Sequence, residues 1–225
     1  YSSAASDVYK RQVMAIEGIN KLPVRLTSKE ALSLYKKLAE VNKVLGRLDA
    51  VLSSSIVNTS ILSLLSYNES VQSTRIEGTQ VTFHEIMESS RVGAKNWQQR
   101  EVLNYKKAID EGFKDIRDGD PISTRLLKRL HKILMSDAAR GTTSNGGEFR
   151  KIQNFIGPDN KIEHASYIPI KANEIGDYMT NLEFFANNEF HKSLEVEELG
   201  ECDYINYDSD PLLRICLLYT SDAAD

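Results

Sequence analysis

Repeated amphipathic segments, each preceded by a helix-capping sequence, restrict this chain of 225 residues to a mainly α-helical fold. Thr27-Ser28-Lys29-Glu30 has the form of a capping box, in which threonine and glutamate side chains satisfy free N–H groups at a helix start. The apolar positions that follow have helical spacing and predict a helix over 28–52: Leu34, Leu38, Val41, Leu45, Leu48 and Leu52. Similar patterns predict helices over 58–77, 82–90, 96–117, 122–136 and 172–186, and a last helix that begins at Pro211.

One stretch in the second half of the chain has strand character instead. The segments Phe149 to Ile156 and Ser166 to Ile170 are joined across Gly157-Pro158-Asp159-Asn160, which predicts a β-hairpin. The first strand alternates between two faces, one with Ile152, Asn154 and Ile156 and the other with Lys151, Gln153 and Phe155. An exposed edge of this kind can take up an extended peptide. The alternative is an ordinary hairpin that covers a helical core.

The two ends of the chain resemble translated sequencing adapter. Residues 2–12 back-translate to a transposon-type adapter, and residues 216–225 read from the reverse complement of the same DNA. We therefore expect segments 1–12 and 216–225 to lie outside the native sequence, which would span roughly 13–215. Two inner segments lack periodicity: 137–147 is predicted to be a flexible loop and 189–210 an acidic linker.

The composition gives no sign of a polyanionic or membrane partner. A formal net charge of −4 at pH 7 provides no general attraction to nucleic acid or anionic lipid. No stretch is apolar for long enough to span a bilayer, and the start has no secretory signal pattern. With Cys216 in the adapter-like end, Cys202 stands alone, which excludes a disulfide framework within 13–215. We expect a cytoplasmic protein without a metal site in this chain.

The sequence Ser73-Thr74-Arg75-Ile76-Glu77-Gly78 is the sharpest local indication of function. Ser73 and Glu77 are four residues apart, so they lie on one face of a helix. Gly78 is placed to end that helix, which leaves Glu77 in the last turn, where the negative end of the helix dipole disfavours an anion. We therefore expect a cation to pair with Glu77. The alternatives are a solvated side chain and a pair with Arg75.

Several motifs in order resemble the Fic (Fido) family of protein AMP transferases. Ser73 to Gly78 is similar to the inhibitory-helix pattern of that family, Ser/Thr-x-x-x-Glu-Gly/Asn. The segments Arg100 to Tyr105, Leu130 to Leu134 and Gly147 to Gly157 follow in the family's order and rough spacing. The resemblance implies a Fic-type helical bundle with a β-hairpin flap, preceded by an N-terminal helical region. It divides the chain into two parts. Residues 13–95 would form the N-terminal region with the inhibitory helix, and residues 96–215 would form a truncated Fic core, in which residues 148–170 are the flap.

The resemblance also implies what a longer parent protein does. It would transfer AMP from ATP, with Mg²⁺, to a Ser, Thr or Tyr hydroxyl of a target protein. Ser73, Glu77 and Gly78 would form the inhibitory part of the ATP site, because Glu77 would pair with an arginine that otherwise holds the γ-phosphate. The flap would position the target through six residues: Arg150, Gln153, Asn154, Phe155, Ile156 and Gly157.

The catalytic signature of that family, His-Pro-Phe-x-Asp/Glu-Gly-Asn-Gly-Arg-x-x-Arg, is absent from this sequence. In relatives it supplies the general base, the Mg²⁺ ligand and the phosphate cradle. The four histidines of the sequence lack the flanking residues of this signature: His84, His131, His164 and His191. We therefore assign no catalytic residue, and expect the chain itself to be an inactive fragment that needs no cofactor.

The partners implied by the resemblance are a hydroxyl-bearing protein target and, as a further candidate, a second copy in a homodimer. DNA contact would follow only if the parent carried a C-terminal winged helix. The alternative function is a non-catalytic helical interaction or regulatory module, whose hairpin recruits a strand of a partner protein.

Overall fold

The computed structural model describes residues 15–55, 59–136, 146–195, 202–205 and 210–222. Within these ranges it contains seven α-helices, so the mainly α-helical fold is confirmed: α1 Ser28–Ser54, α2 Thr59–Ile76, α3 Phe83–Val92, α4 Trp97–Arg117, α5 Thr124–Leu134, α6 Ile175–Ala186 and α7 Pro211–Asp222. Their ends agree with the predicted helices within a few residues. The 1–12 segment and most of the 137–147 loop lie outside the described residues.

The predicted capping boxes are both formed. Before α1, Glu30 Oε2 accepts from the N–H of Thr27 at 2.9 Å, and Thr27 Oγ1 accepts from the N–H of Glu30 at 3.3 Å. Thr82 and Glu85 exchange the same two bonds before α3, at 2.7 and 3.2 Å. The hydrogen bonds with Thr27 and Thr82 lower the pKa of the Glu30 and Glu85 carboxyls respectively. These helix starts are fixed by local contacts that need no tertiary packing.

In the described ranges, four short strands form two separate pairs. Strand β1, Ile16–Glu17, runs parallel to β3, Tyr167–Ile168. Strand β2, Val24–Thr27, runs antiparallel to β4, Cys202–Ile205, with Val24 opposite Ile205. The acidic linker predicted over 189–210 is therefore wrong for residues 202–205. They form a strand because β2, distant in sequence, offers its backbone edge.

The predicted hairpin is reduced to one antiparallel bridge, between Ile156 and Tyr167. Pro169 has no N–H to extend the ladder. The Gln153 side-chain amide donates to the carbonyl of Pro169 at 2.8 Å, and the Arg150 guanidinium donates to the carbonyl of Ile170. Side chains thus bind the acceptors that a longer ladder would use, so the two segments return antiparallel without regular strand pairing.

Two apolar clusters form the core of the described chain. The first joins α2, α3 and α4 through Val71, Val81, Ile86 and Val102. The second consists of Phe185, Leu194 and Leu213, against which Leu34 and Leu38 of α1 pack. The first cluster lies on the last turns of α2 and therefore fixes the helix that carries the predicted inhibitory sequence.

Candidate functional site

Helix α2 ends in a glycine-dependent cap. The N–H of Gly78 donates to the carbonyl of Arg75 at 2.9 Å, and the N–H of Thr79 donates to the carbonyl of Thr74 at 3.1 Å. This is the bond pattern of a Schellman motif, and Gly78 has the positive φ of 85° that the motif requires. The predicted helix stop at Gly78 is thereby confirmed, and Glu77 occupies the position between the last helical residue and that glycine.

The Glu77 side chain is exposed and, among the described residues, the structure assigns it no hydrogen bond or ion pair. The Arg75 guanidinium donates to Gln72 Oε1 at 3.3 Å rather than to Glu77. The Ser73 hydroxyl donates to Glu69 Oε1 at 2.6 Å, one turn back along the helix. Of the three alternatives for Glu77, the described chain therefore supports the solvated side chain, and the expected cation is not among the described residues.

Two hydrogen bonds, which we call the α4 anchors, tie the last turns of α2 to helix α4. The Tyr105 hydroxyl donates to Glu69 Oε1 at 3.1 Å. The Thr79 hydroxyl donates to Glu101 Oε1 at 3.1 Å. Burial raises the pKa of Tyr105, opposed by a hydrogen bond with Ser73. The anchors lie on both sides of Glu77 in sequence, so α4 determines where the end of α2, and with it Glu77, is placed.

The chain that leaves α2 borders an open surface depression of about 540 Å³. It is lined by Arg75, Gly78, Thr79, Gln80, Val81 and Thr82. Thr79 is buried at 1% exposure, whereas Arg75 and Gln80 are exposed. Glu77 is not a lining residue, but it is exposed and next in sequence to Gly78, which lines the depression, so its carboxylate is accessible to a group from another segment or molecule.

The base of the flap is docked on helix α5. The N–H of Gly147 donates to His131 Nδ1 at 2.8 Å. Lys128 contacts the same turn twice, with its Nζ 4.7 Å from the ring centroid of Phe149 and 3.5 Å from Glu148 Oε2. His131 therefore has a structural role here, in agreement with its lack of catalytic flanking residues.

The six predicted flap residues divide into two groups. Arg150, Gln153 and Gly157 maintain the shape of the loop: the first two bond the returning backbone, and a Cβ on Gly157 would lie 3.1 Å from the carbonyl oxygen of His164. Asn154 and Ile156 are exposed, together with Ile152, whereas Phe155 is half-buried. The predicted face of Ile152, Asn154 and Ile156 is therefore exposed, whereas Gln153 and Phe155 of the opposite face are half-buried and Lys151 is exposed. The flap contacts α5 at its base and pairs with β1, whereas the end of α2 is hydrogen-bonded to α4.

Sequence reasoning missed the α4 anchors. Glu69 carries a weak signal, because it precedes Ser73 by one helical turn. Glu101 and Tyr105 lie four residues apart within a predicted helix, but nothing in the sequence indicates that they face α2.

The side chains that the structure describes do not form a site suited to a bound Mg²⁺–nucleotide. The described part of the chain contains no group of three His, Cys, Asp or Glu side chains able to hold a metal ion. The open depression contributes one cationic side chain, Arg75, and that guanidinium is bonded to Gln72. Separately, none of the described helices has the length and apolar character needed to cross a bilayer.

The fold and site define a helical domain that presents a carboxylate at a glycine-capped helix end, fixed from a neighbouring helix. Residues 35–114 match the sequence model of the Fic/DOC family N-terminal region. The match begins in α1, includes Ser73 to Gly78 and ends in α4. The match covers 80 of the 225 residues, so this part of the chain is similar to the Fic/DOC N-terminal region, in agreement with the resemblance carried by its motifs. No curated protein matches it.

Proposed function

We propose that this chain supplies the autoinhibitory region of a Fic-type protein AMP transferase whose catalytic motif is contributed by sequence outside these 225 residues. The observation that carries the proposal is the placement of Glu77: exposed at the C-cap of α2, within the range that matches the family, and next in sequence to Gly78, which lines the depression.

The position of Glu77 favours an external cation. A carboxylate at the carbonyl end of a helix is disfavoured by about 0.3–1 kcal/mol, so a guanidinium that reaches it gains a partner without strong local competition. The α4 anchors hold the backbone on both sides of the carboxylate. Less conformational freedom is then lost when the pair forms. An arginine held by Glu77 is withheld from nucleotide phosphates, which is the proposed inhibition.

The flap supplies the proposed contact with the target protein. In AMP transfer a hydroxyl oxygen of the target bonds to the α-phosphorus of ATP, and pyrophosphate leaves. The exposed face of Ile152, Asn154 and Ile156 would contact the segment that carries the hydroxyl. Arg150 and Gln153 would act indirectly, since their side chains hold the loop in shape.

The experiment compares incorporation of labelled AMP by the longer gene product that contains the catalytic motif with incorporation by its Glu77→Gly variant. We expect an increase of about tenfold or more, because the arginine is released and each tenfold corresponds to about 1.4 kcal/mol. Glu189→Gly is the matched control, since Glu189 is an exposed carboxylate just after helix α6, and should leave incorporation unchanged. Equal incorporation by wild type and Glu77→Gly would refute the inhibitory role. The 225-residue chain alone should incorporate none.

The alternative, a non-catalytic interaction module, is favoured by one observation, the exposed face of the flap. Ile152 is 74% exposed and Ile156 is 48% exposed. A gene whose continuation lacks the histidine and the glycine-rich phosphate loop would support this alternative over AMP transfer.

A further inference from the structure

The second half of helix α1 exposes a continuous row of aliphatic side chains, which we call the α1 seam. Its members are each between 40% and 62% exposed: Val41, Val44, Leu45, Leu48, Val51 and Leu52. The first half of the same helix is different, because Leu34 and Leu38 pack against the cluster of Phe185, Leu194 and Leu213. The helix therefore continues beyond the core that covers its beginning.

The seam has the spacing of a coiled coil. From Leu34 to Leu52 the apolar residues alternate in steps of four and three, the 3.5-residue repeat of a and d positions. Val44 and Val51 fall at g positions and widen the apolar stripe. A stripe of this period fits another helix of the same period by knobs-into-holes packing.

We infer that the α1 seam is a dimer interface, covered by the α1 seam of a second copy in antiparallel orientation about a two-fold axis. In this register Leu45 lies opposite Leu48 of the second copy and Val41 lies opposite its Leu52. The same register places Val44 beside Val51 across the axis. The seam is thus complementary to itself, as an isologous interface must be.

The charges beside the seam favour the antiparallel orientation. No charged residue occupies a seam position between Val41 and Leu52. Antiparallel packing brings the e positions together, so Asp49 lies near Asn42 of the second copy, whose amide can donate to the carboxylate. Parallel packing would place Asp49 beside Val44 of the second copy and desolvate the carboxylate without a donor.

The exposed apolar side chains of the seam are suited to burial in a dimer. A stable interface of ordinary size buries about 800 Å² on each partner. The seam contributes six half-exposed aliphatic side chains to such an interface, and Leu62, Leu64 and Leu65 of the following helix α2 are also exposed, at 44–59%. A monomer rarely leaves so many large aliphatic side chains in water within two successive helices.

The first experiment is light scattering on the full 225-residue chain over a concentration series. We expect a mass about twice the 25.4 kDa of one chain. Leu48→Lys places a charge at the centre of the seam and should give a monomer. Leu32→Lys is the matched control, because Leu32 is 58% exposed on α1 but outside the seam, and should remain dimeric. A monomeric wild type, or a Leu48→Lys variant that remains dimeric, would overturn the inference.

A second experiment tests the orientation. Val44→Glu and Val51→Lys should each dissociate the dimer. The double variant should restore it, because the carboxylate introduced on each copy would then face the ammonium group introduced on the other. Dissociated single variants without rescue would overturn the antiparallel register.

Hydrogen exchange tests the interface in the wild type, without any variant. The amides of residues 41–52 should exchange more slowly as the protein concentration rises, because the dimer covers this part of α1. Exchange that is independent of concentration would overturn the interface.

Discussion

The hydroxyl of Thr79 donates to Glu101 Oε1 at 3.1 Å, which joins the second residue after Glu77 to helix α4. Thr79 is 1% exposed, and the other carboxylate oxygen of Glu101 is buried without a hydrogen-bond partner. The Thr79 hydroxyl is therefore an important hydrogen-bond donor to the Glu101 carboxylate. It makes the position of the α2 end depend on a helix outside the inhibitory sequence itself.

We expect Thr79→Val to lower the free energy of unfolding by about 1–3 kcal/mol, because the Glu101 carboxylate would lose a buried hydrogen-bond donor. Valine has nearly the same volume as threonine, so the substitution leaves the packing unchanged. Urea denaturation followed by circular dichroism measures this change. Thr180→Val is the control, since the Thr180 hydroxyl bonds within an exposed helical turn and its loss should cost about 0.5 kcal/mol or less. Equal losses in the two variants would show that the Glu101 bond contributes nothing special.

A pH dependence of stability follows from the α4 anchor between Tyr105 and Glu69. Burial raises the pKa of Tyr105 above its value in the unfolded chain, which is about 10. The folded state then retains the phenolic proton where the unfolded state releases it, so the contribution to stability is intact below about pH 10 and is lost as pH rises through the folded pKa. In alkaline titrations, the wild type should lose stability more steeply than Tyr105→Phe. Parallel curves for the two proteins would contradict this.

Local and distant interactions differ in how far they could be predicted. The capping boxes of Thr27–Glu30 and Thr82–Glu85, and the cap at Gly78, involve side chains within a few residues of one another, so their pattern is visible in the sequence. The β2–β4 pair and the Thr79–Glu101 bond join segments far apart in the chain. Their partners are chosen by tertiary packing, which periodicity does not encode.

The flap base offers a test of backbone geometry. Gly147 has a φ of 84°, and a Cβ there would lie 2.6 Å from the carbonyl oxygen of Lys128. Gly147→Ala should therefore cost more than the roughly 1–3 kcal/mol of backbone strain alone. Gly119→Ala is matched in strain, with a φ of 101°, but its Cβ would meet nothing within 4 Å. Thermal denaturation should rank Gly147→Ala below Gly119→Ala, and the reverse order would refute the close approach.

The flap tip contains a second titrating pair. His164 Nδ1 donates a hydrogen bond to Asp159 Oδ2 at 2.7 Å; this bond, aided by the charge of Asp159, raises the pKa of His164 and lowers the pKa of Asp159. For the raised histidine, stabilisation is complete below about pH 6.5 and is lost as pH rises through the folded pKa. For the lowered aspartate, it is present above about pH 3.9 and is lost as pH falls through the folded pKa. The contact should therefore persist between the two folded pKa values.

An NMR titration of His164 tests this pair. Asp159→Asn should return the pKa of His164 toward its ordinary value. Glu163→Gln is the control, because Glu163 adds only a weaker charge effect, and should lower the pKa much less. An Asp159→Asn variant with an unchanged histidine titration would exclude the bond.

The central claim is that the negative charge of Glu77, rather than its bulk, withholds a cation from the nucleotide. Its most direct test is the initial rate of AMP incorporation by the motif-containing gene product with Glu77→Gln, which removes the charge and keeps the shape. We predict a rate increase of about tenfold or more, the equivalent of at least roughly 1.4 kcal/mol for a charge-assisted bond. A Glu77→Gln rate equal to that of the wild type would contradict the claim.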